Sequence, residues 1–321
     1  MGTNNLGLIA DIGATNARFA LADPGGIYEE QILKCDDYPG ILEAAQAYLD
    51  NVTPEKRPKG ASVAIAGPVN GDKFDMTNHT WSFSVEETRK ALGFDTFHLI
   101  NDFEAIAMAV PHIEDTYLHK IGGGEAQQGR AIAVIGPGTG LGVASLFQDK
   151  QGNYIPNTCE GGHITMPAKT QREFDLFRTL RYKYSHVSAE RVCSGKGLLN
   201  IYNAIRILDG HENLPDRTPE EISNDAISGA CPVCKEALDK MITFLGSVTG
   251  NLALSLGSFG GIYIAGGIPA KLGDYFYNSH FYDEFLAKGR FSEYLSPMPV
   301  YVIEHPFTAF VGLQADLFKK S

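Results

Sequence analysis

The amino-acid sequence predicts an α/β protein of about two domains, and three observations lead to this prediction. Its 321 residues match two domains of ~150 residues each. An apolar run, a glycine-rich turn and a second apolar run follow one another at residues 6–26, and the same order returns at residues 131–153. Apolar residues make up 44% of the chain and charged residues 20%, a balance that can bury a core.

The first third of the chain reads as strands joined by turns and short helices. The runs Leu6–Ile12 and Ala17–Ala22 flank a Gly/Thr/Asn turn, which predicts a β-hairpin. Apolar residues at helical spacing predict a helix over 38–50, and Ser84 with Glu87 matches a capping box at the start of another. Further strands are predicted at 61–66 and 96–100, and a further helix at 103–110.

The second part repeats the hairpin pattern and continues mainly in helices. Aligning Gly13 with Gly138 superposes the two glycine-rich turns, which indicates an internal duplication. No linker separates the parts, so we expect hinges near Val110 and Ile303. These hinges give a small domain of residues 1–110 plus 303–321 and a large domain of residues 111–302. Helices are predicted at 171–184, 188–208, 218–228, 234–256 and 312–320, and strands at 260–264 and 299–306.

Charge and cysteine usage narrow the function classes. The chain has 27 basic and 38 acidic residues, and its net charge of −11 argues against nucleic acid or an anionic membrane surface as a partner. No run approaches the ~18 apolar residues of a membrane span, and we see no secretory signal. Five cysteines, an odd number in a long chain, indicate a reducing, cytoplasmic compartment without a disulfide framework.

Three glycine-rich turns, each after an apolar strand, are the first chemical signal. Glycine lets the backbone approach a ligand closely, and successive N–H groups in such a turn bind anions. The pattern favours phosphate binding, although neither the Walker A nor the GxGxxG spacing is present. The turns are Asp11-Ile12-Gly13-Ala14-Thr15-Asn16, Gly136-Pro137-Gly138-Thr139-Gly140-Leu141-Gly142 and Ala265-Gly266-Gly267.

Acidic residues at two strand ends each allow two interpretations. Asp11 either caps its turn or holds Mg²⁺, directly or through water, opposite phosphates, and the sequence favours neither. Asn101 and Asp102 follow a strand and begin a helix, where ligands of α/β proteins gather. Asp102 would suit a general base for phosphoryl transfer, but the pair alone favours a simple helix N-cap.

A second polar set lies in the middle of the chain. Glu160 and His163 flank two glycines, so we expect a loop that presents both side chains to a polar ligand rather than a metal-binding helix. Glu190 reads as part of the first turn of a helix that Ser188 caps. Taken alone, the segment with Ser188 and Glu190 indicates only the start of a helix and no chemical role.

The motifs DIGATN, LINDFEA, GPGTGLG and IYIAGGI together resemble those of the bacterial glucokinase family, within the hexokinase and actin-like ATPase superfamily. The segments MTNHTW, CEGGH and SAERV extend the resemblance over essentially the whole chain. The resemblance implies a two-domain, actin-like (ribonuclease H-like) fold with an interdomain cleft. It also implies a cytoplasmic homodimer of glycolysis that uses ATP and Mg²⁺ to phosphorylate glucose at O6.

The resemblance also implies residue roles. Asp102 corresponds to the catalytic base and to a sugar ligand. The other sugar ligands it implies are Asn101, Glu160, His163 and Glu190. The nucleotide-binding positions it implies are Ala10, Asp11, Ile12, Gly13, Ala14 and Thr15, then Gly138, Thr139, Gly140 and Gly142, and finally Gly266 and Gly267 on the adenosine side. These residue types suit the chemistry, because hydrogen bonds recognise a hexose and phosphoryl transfer needs positioning and a base.

One departure from related sugar kinases concerns zinc. The ROK group carries a cysteine-rich zinc motif soon after its Glu-x-Gly-His segment, whereas here no cysteine follows His163 before Cys193. Cys231 and Cys234 lack a second pair at zinc spacing, which favours packing at a helix end. We therefore expect no zinc. Two alternatives stay open: a kinase of the same fold for another hexose or with polyphosphate as donor, and a non-catalytic sugar sensor.

Overall fold

The computed structural model describes residues 6–76, 79–211 and 213–319, which form a mixed α/β protein. Residues 77–78 of the MTNHTW segment and residue 320 of the last predicted helix lie outside the described part. The chain divides into two compact units. Unit 1 runs up to Asp115 and resumes at His305, and unit 2 comprises Thr116–Glu304. The chain thus leaves unit 1 once and returns to it once.

Unit 1 begins with a hairpin and then alternates strands with helices. Its elements before Asp115 are β1 (Gly7–Ile12), β2 (Asn16–Asp23), β3 (Gly26–Lys34), α1 (Ile41–Leu49), β4 (Gly60–Ile65), β5 (Lys73–Asp75), β6 (Ser82–Ser84), α2 (Val85–Leu92), β7 (Thr96–Asn101) and α3 (Asp102–Ala109).

Unit 2 begins with a strand, a hairpin and an added edge strand, and most of its helices follow. Its elements are β8 (Leu118–Gly122), β9 (Ile132–Pro137), β10 (Leu141–Gln148), β11 (Tyr154–Cys159), α4 (Gln171–Arg181), α5 (Gly195–Leu208), α6 (Pro219–Ile227), α7 (Pro232–Leu256), β12 (Ile262–Ile264), α8 (Gly267–Leu272), α9 (Asp274–Tyr277), α10 (Phe281–Leu286), α11 (Ser292–Leu295) and β13 (Val300–Ile303). The final helix, α12 (Thr308–Leu317), belongs to unit 1.

The main sheets of the two units share the arrangement of their first five strands, and the sheet of unit 2 has β8 as a sixth, antiparallel strand. The strand order in unit 1 is β3-β2-β1-β4-β7, and in unit 2 it is β11-β10-β9-β12-β13-β8. In both, the first three strands are antiparallel neighbours and the third to fifth are parallel. This correspondence pairs β1 with β9 and supports the duplication that the two glycine-rich turns indicate.

Each sheet buries its strands against helices. In unit 1, Leu8, Ala10 and Ile12 of β1 join one core cluster with Tyr48 of α1, and α3 and α12 pack together beside β4. In unit 2, α7 is buried over most of its 25 residues and contacts α5, α6 and α10. Within the described ranges, no helix is long and apolar enough to cross a membrane.

Several expectations about element bounds need correction. Strands β3 and β11 were not expected, because edge strands leave many side chains in solvent and show no clear apolar alternation. Ser188 does not cap a helix: it bridges Thr165, and α5 begins only at Gly195, where the Ser194 hydroxyl accepts the Gly197 N–H at 2.9 Å. At α2 the Ser84 hydroxyl accepts the Glu87 N–H, but the reciprocal half of a capping box is not formed.

Candidate active site

The end of β7 brings Asn101 and Asp102 to the start of α3. The Asn101 Oδ1 accepts the N–H groups of Phe103 at 2.9 Å and Glu104 at 3.3 Å, and its Nδ2 donates to the Gly67 carbonyl at 3.0 Å. Asn101 is therefore the helix cap. Asp102 takes the first helical position, where the helix dipole favours an anionic group.

Asp11 forms a cross-strand ion pair that the sequence analysis did not anticipate. It lies opposite Arg18 in the β1–β2 register, and the Arg18 Nη1 donates to Asp11 Oδ2 at 3.0 Å. Burial raises the pKa of the Asp11 carboxyl, and Arg18 acts against this shift. The turn itself is closed by the Gly13 N–H and the Asn16 carbonyl at 2.9 Å, so Asp11 is not its cap.

The parallel register aligns the first glycine-rich turn with the Asn101–Asp102 pair. Ile12 at the end of β1 lies opposite Ile65 of β4, which lies opposite Asn101 of β7. With strands ~4.8 Å apart, the first turn and Asn101 are about 10 Å from each other along one sheet edge. Exposed residues Ala14 and Thr15 form the tip of that turn. Unit 1 thus brings the Ala10–Thr15 candidates and the candidate base together.

In unit 2, the second and third glycine-rich segments meet at the ends of the parallel strands β9 and β12. Gly138 donates its N–H to the Gly140 carbonyl at 2.8 Å, which closes the β9–β10 turn. Gly266 has φ +86°, and a Cβ there would lie 2.6 Å from the Pro137 carbonyl oxygen. Only glycine allows this close approach, which places Gly266 and Gly267 directly beside the second turn.

A cavity of about 550 Å³ opens beside these two segments, entirely within unit 2. This volume suits a ligand of nucleotide size. Gly138 and Thr139 line it, together with two lysines, Lys196 at the start of α5 and Lys271 on α8. One face of α6 completes the wall with Glu220, Ser223, Asn224 and Ile227. Two ammonium groups therefore supplement the backbone N–H groups as candidates for anion binding.

Glu160, His163 and Glu190 come together around one short turn. The segment that we expected to be a loop contains a single 3-10 turn, Gly161–His163. His163 Nε2 lies 3.8 Å from Glu160 Oε2. The Glu190 N–H donates to the Gly162 carbonyl at 2.8 Å. Glu160 and His163 are both exposed.

The structure places every candidate site residue, grouped by unit. Asn101, Asp102 and the Ala10–Thr15 turn lie in unit 1. Glu160, His163, Glu190 and the other two glycine-rich segments lie in unit 2. Sequence reasoning missed Lys196, Lys271 and the α6 face, because each stands alone in a helix without a motif around it.

The family model, the relatives and the solved structure described next agree on one family. A family model described as Glucokinase matches residues 8–319. The chain is 45% identical to a glucokinase of Paramagnetospirillum magneticum over 95% of either chain. It is 48% identical to a glucokinase of Aromatoleum aromaticum, covering 97% of this chain and 94% of the relative. Among solved structures, glucokinase from an Antarctic psychrotroph aligns with a TM-score of 0.88 at 35% identity, covering 98% of this chain and 99% of that one.

Proposed function

Because the chain belongs to the glucokinase family, we propose that it is an ATP-dependent hexose 6-phosphotransferase that acts on glucose. It transfers the γ-phosphoryl group of ATP to O6 of glucose and releases glucose 6-phosphate and ADP. The observation that carries the proposal is the division of tasks at the start of α3. The Asn101 side chain caps α3, and Asp102 places a carboxylate at the first position of that helix. Both lie at the sheet edge where β1 leads into the first glycine-rich turn.

In this proposal Asp102 is the catalytic base. It accepts the proton of the glucose O6 hydroxyl as that oxygen attacks the γ-phosphorus and the bond to the ADP oxygen breaks. Because phosphoryl transfer involves little covalent chemistry by the protein, the main tasks are alignment of O6 and stabilisation of charge.

The sugar ligands are Asn101, Asp102, Glu160, His163 and Glu190. The Asn101 Oδ1 already accepts two N–H groups and its Nδ2 donates once, so Asn101 would offer a sugar oxygen its second Nδ2 proton. The carboxylates of Glu160 and Glu190 accept hydroxyl protons. A hexose lacking one of these hydroxyls leaves a polar group unpaired, which is how such a site discriminates between sugars.

The nucleotide lies in the unit 2 cavity, with its phosphates towards the glycine-rich turns. Gly138, Thr139, Gly140 and Gly142 contact the phosphates, as do the residues of the Ala10–Thr15 turn. Gly266 and Gly267 lie on the adenosine side. Lys196 and Lys271 add positive charge at the cavity wall. This arrangement explains how a chain with a net charge of −11 can bind a polyanion.

Asp11 is the residue we propose for Mg²⁺, through water. Mg²⁺ is usually held by one or two carboxylates together with substrate phosphates, so a single partly exposed carboxylate fits it. Arg18 donates to one oxygen, Oδ2, so Oδ1 is the oxygen that would accept a hydrogen bond from a water of the hydrated ion. When bound with ATP, the ion neutralises charge on the phosphate oxygens.

We further propose that units 1 and 2 are the small and large domains of an actin-like fold with the active site in the cleft. Glucose would draw the domains together and exclude water that would hydrolyse ATP. Small-angle scattering should give a smaller radius of gyration with glucose than without it. An unchanged radius would contradict closure without touching the assignment of the reaction.

A cytoplasmic homodimer is the assembly that we propose. The resemblance to the family supports it, and the free thiols of the described cysteines suit a reducing compartment. Light scattering coupled to size-exclusion chromatography should give twice the chain mass of 34.8 kDa. A mass of one chain at micromolar concentration would contradict the dimer.

A panel assay tests the proposed reaction against its alternatives. ADP formation is followed with glucose, mannose, fructose, galactose and N-acetylglucosamine in turn, and polyphosphate replaces ATP in a parallel series. We expect the highest kcat/KM for the pair ATP and glucose. Turnover confined to another hexose or to polyphosphate would reassign the substrate, and sugar binding without any turnover would make the protein a sensor.

A further inference from the structure

Glu190 makes a contact with the second glycine-rich turn that a sugar ligand does not require. Its Oε2 accepts the N–H of Leu141, a residue of that turn, at 3.1 Å. The packing is close: a Cβ at Gly140 would lie 2.5 Å from the same oxygen. The carboxylate therefore lies directly against the backbone of the Gly138–Gly142 turn, at a place where a side chain on residue 140 would displace it.

The backbone around Glu190 ties the same two regions together. Its N–H donates to the Gly162 carbonyl at 2.8 Å, within the turn that carries Glu160 and His163. Its carbonyl accepts the Ser194 hydroxyl at 2.8 Å at the start of α5. The first residue of that helix, Gly195, donates its N–H to the Gly138 carbonyl at 2.9 Å.

We propose that Glu190 couples the binding of glucose to the binding of ATP, with one carboxylate oxygen for each. Oε2 holds the Leu141 N–H, and Oε1, which has no hydrogen-bond partner among the described residues, accepts a glucose hydroxyl. The inference rests on the proposed function, because it takes Glu190 as a sugar ligand and the Gly138–Gly142 turn as a phosphate loop.

The coupling follows from the rigidity of a carboxylate. A glucose hydroxyl on Oε1 fixes the orientation of the group and so fixes Oε2 against Leu141. The Gly138–Gly142 turn is then held in one conformation before ATP arrives, and ATP gains affinity because it orders less of the turn itself. By linkage, ATP must raise the affinity for glucose by the same factor.

Calorimetric titration with a non-hydrolysable ATP analogue measures the coupling. The analogue is titrated into the full chain with and without saturating glucose. Couplings between sites are typically about 5–150-fold, so we expect glucose to tighten the analogue at least about fivefold. In Glu190→Asp the charge stays but the shorter side chain cannot reach both partners, and we expect the effect to fall below about twofold.

Glu160→Asp is the matched control, since it makes the same truncation in a proposed sugar ligand whose side chain forms no hydrogen bond with the Gly138–Gly142 turn among the described residues. It should weaken glucose binding and leave the coupling at the wild-type factor once glucose is saturating. Wild-type coupling in Glu190→Asp would overturn the inference. Equal loss in both variants would also overturn it, because the coupling would then belong to the sugar site as a whole.

Hydrogen exchange of the Leu141 amide provides a second measurement that does not depend on a variant. We expect glucose alone to slow this exchange in the wild-type protein, because it holds the acceptor in place. Bound glucose with unchanged exchange at Leu141 would overturn the inference and leave the proposed function intact. A wild-type protein that binds no glucose would instead overturn the proposed function itself.

Discussion

Replacing Asp102 by Asn separates a catalytic carboxylate from a structural one. Asp102 takes the first position of α3, whereas Asn101 provides the cap. The contact of Asp102 Oδ1 with the Phe103 N–H, at 3.0 Å, can be kept by the amide oxygen of Asn. The substitution therefore removes a proton acceptor while the helix start keeps its hydrogen bonds, and we expect unfolding free energy to change by less than about 0.5 kcal/mol.

The expected loss is in rate. A positioned general base contributes roughly 10²–10⁴-fold, which is about 2.7–5.4 kcal/mol of transition-state free energy at ~1.36 kcal/mol per tenfold. We expect kcat of Asp102→Asn to fall by this factor. Glucose should still bind within about tenfold of the wild-type Kd, because the amide still offers a hydrogen bond to the sugar.

Steady-state kinetics, calorimetry with glucose and thermal unfolding are measured on one preparation. Asn101→Ala is the paired variant: it removes the cap and should cost about 0.5–2 kcal/mol of stability. A kcat within threefold of wild type in Asp102→Asn would refute the assignment of the base. A stability loss equal to that of Asn101→Ala would show that Asp102 is structural.

Three further predictions concern the nucleotide cavity, the third turn and pH. Lys196→Ala should raise KM for ATP about tenfold, because it removes a charged partner of the phosphates, and should leave glucose binding unchanged. Lys235 lies outside this cavity, so Lys235→Ala is the control and should leave KM for ATP and the Kd for glucose at wild-type values. Gly266→Ala should lower the unfolding free energy, measured in urea, by about 1–3 kcal/mol, because its φ of +86° strains any side chain; an unchanged midpoint would contradict this. The hydrogen bond with Asp316 raises the pKa of His98, so the stability this pair provides should be present below the unfolded-state pKa of ~6.5 and lost as pH rises through the folded-state pKa. Burial acts to raise the pKa of Asp316, but the hydrogen bonds from His98 and Ser62 outweigh burial, and the net shift of that pKa is downward. The stability that the pair provides is therefore also lost at acid pH, as the pH falls through the folded-state pKa of Asp316. Unfolding of wild type and His98→Gln should therefore differ more at pH 6 than at pH 8.5, and a difference independent of pH would rule out the ion pair.

The hairpins and glycine-rich turns were predictable because their signals are local. An apolar strand, a glycine turn and a second apolar strand specify a hairpin within about 20 residues, and the structure has one at β1–β2 and one at β9–β10. The order of chain segments also indicated that the two halves repeat, which the shared strand order supports. The family assignment from the motifs is confirmed by the family model and the relatives.

Edge strands and tertiary turns were not predictable in the same way. Ile32 of β3 is 58% exposed and Ile155 of β11 is 50% exposed, so neither strand shows a buried alternating face. Ser188 resembles a helix cap in sequence, but the segment is held by the N–H groups of Ala189 and Glu190, which donate to the Ile164 and Gly162 carbonyls. These hydrogen bonds join residues that lie more than 20 positions apart in the chain, so no local sequence pattern predicts them.

In the candidate site, too, some residues could be predicted from local motifs and others only from the assembled structure. Asp102, Glu160 and the glycine-rich turns lie within motifs and could be found from the sequence. The Asp11–Arg18 ion pair depends on the hairpin register, and the two cavity lysines depend on how α5 and α8 pack. Such contacts arise only when the sheet and its helices assemble.

The position of the transferred phosphoryl group tests the central claim most directly. The protein is incubated with ATP, Mg²⁺ and glucose, and the products are identified by phosphorus and carbon NMR. The account predicts glucose-dependent formation of ADP with one equivalent of glucose 6-phosphate. Release of inorganic phosphate without a sugar phosphate, or phosphorylation at any oxygen other than O6, would contradict it.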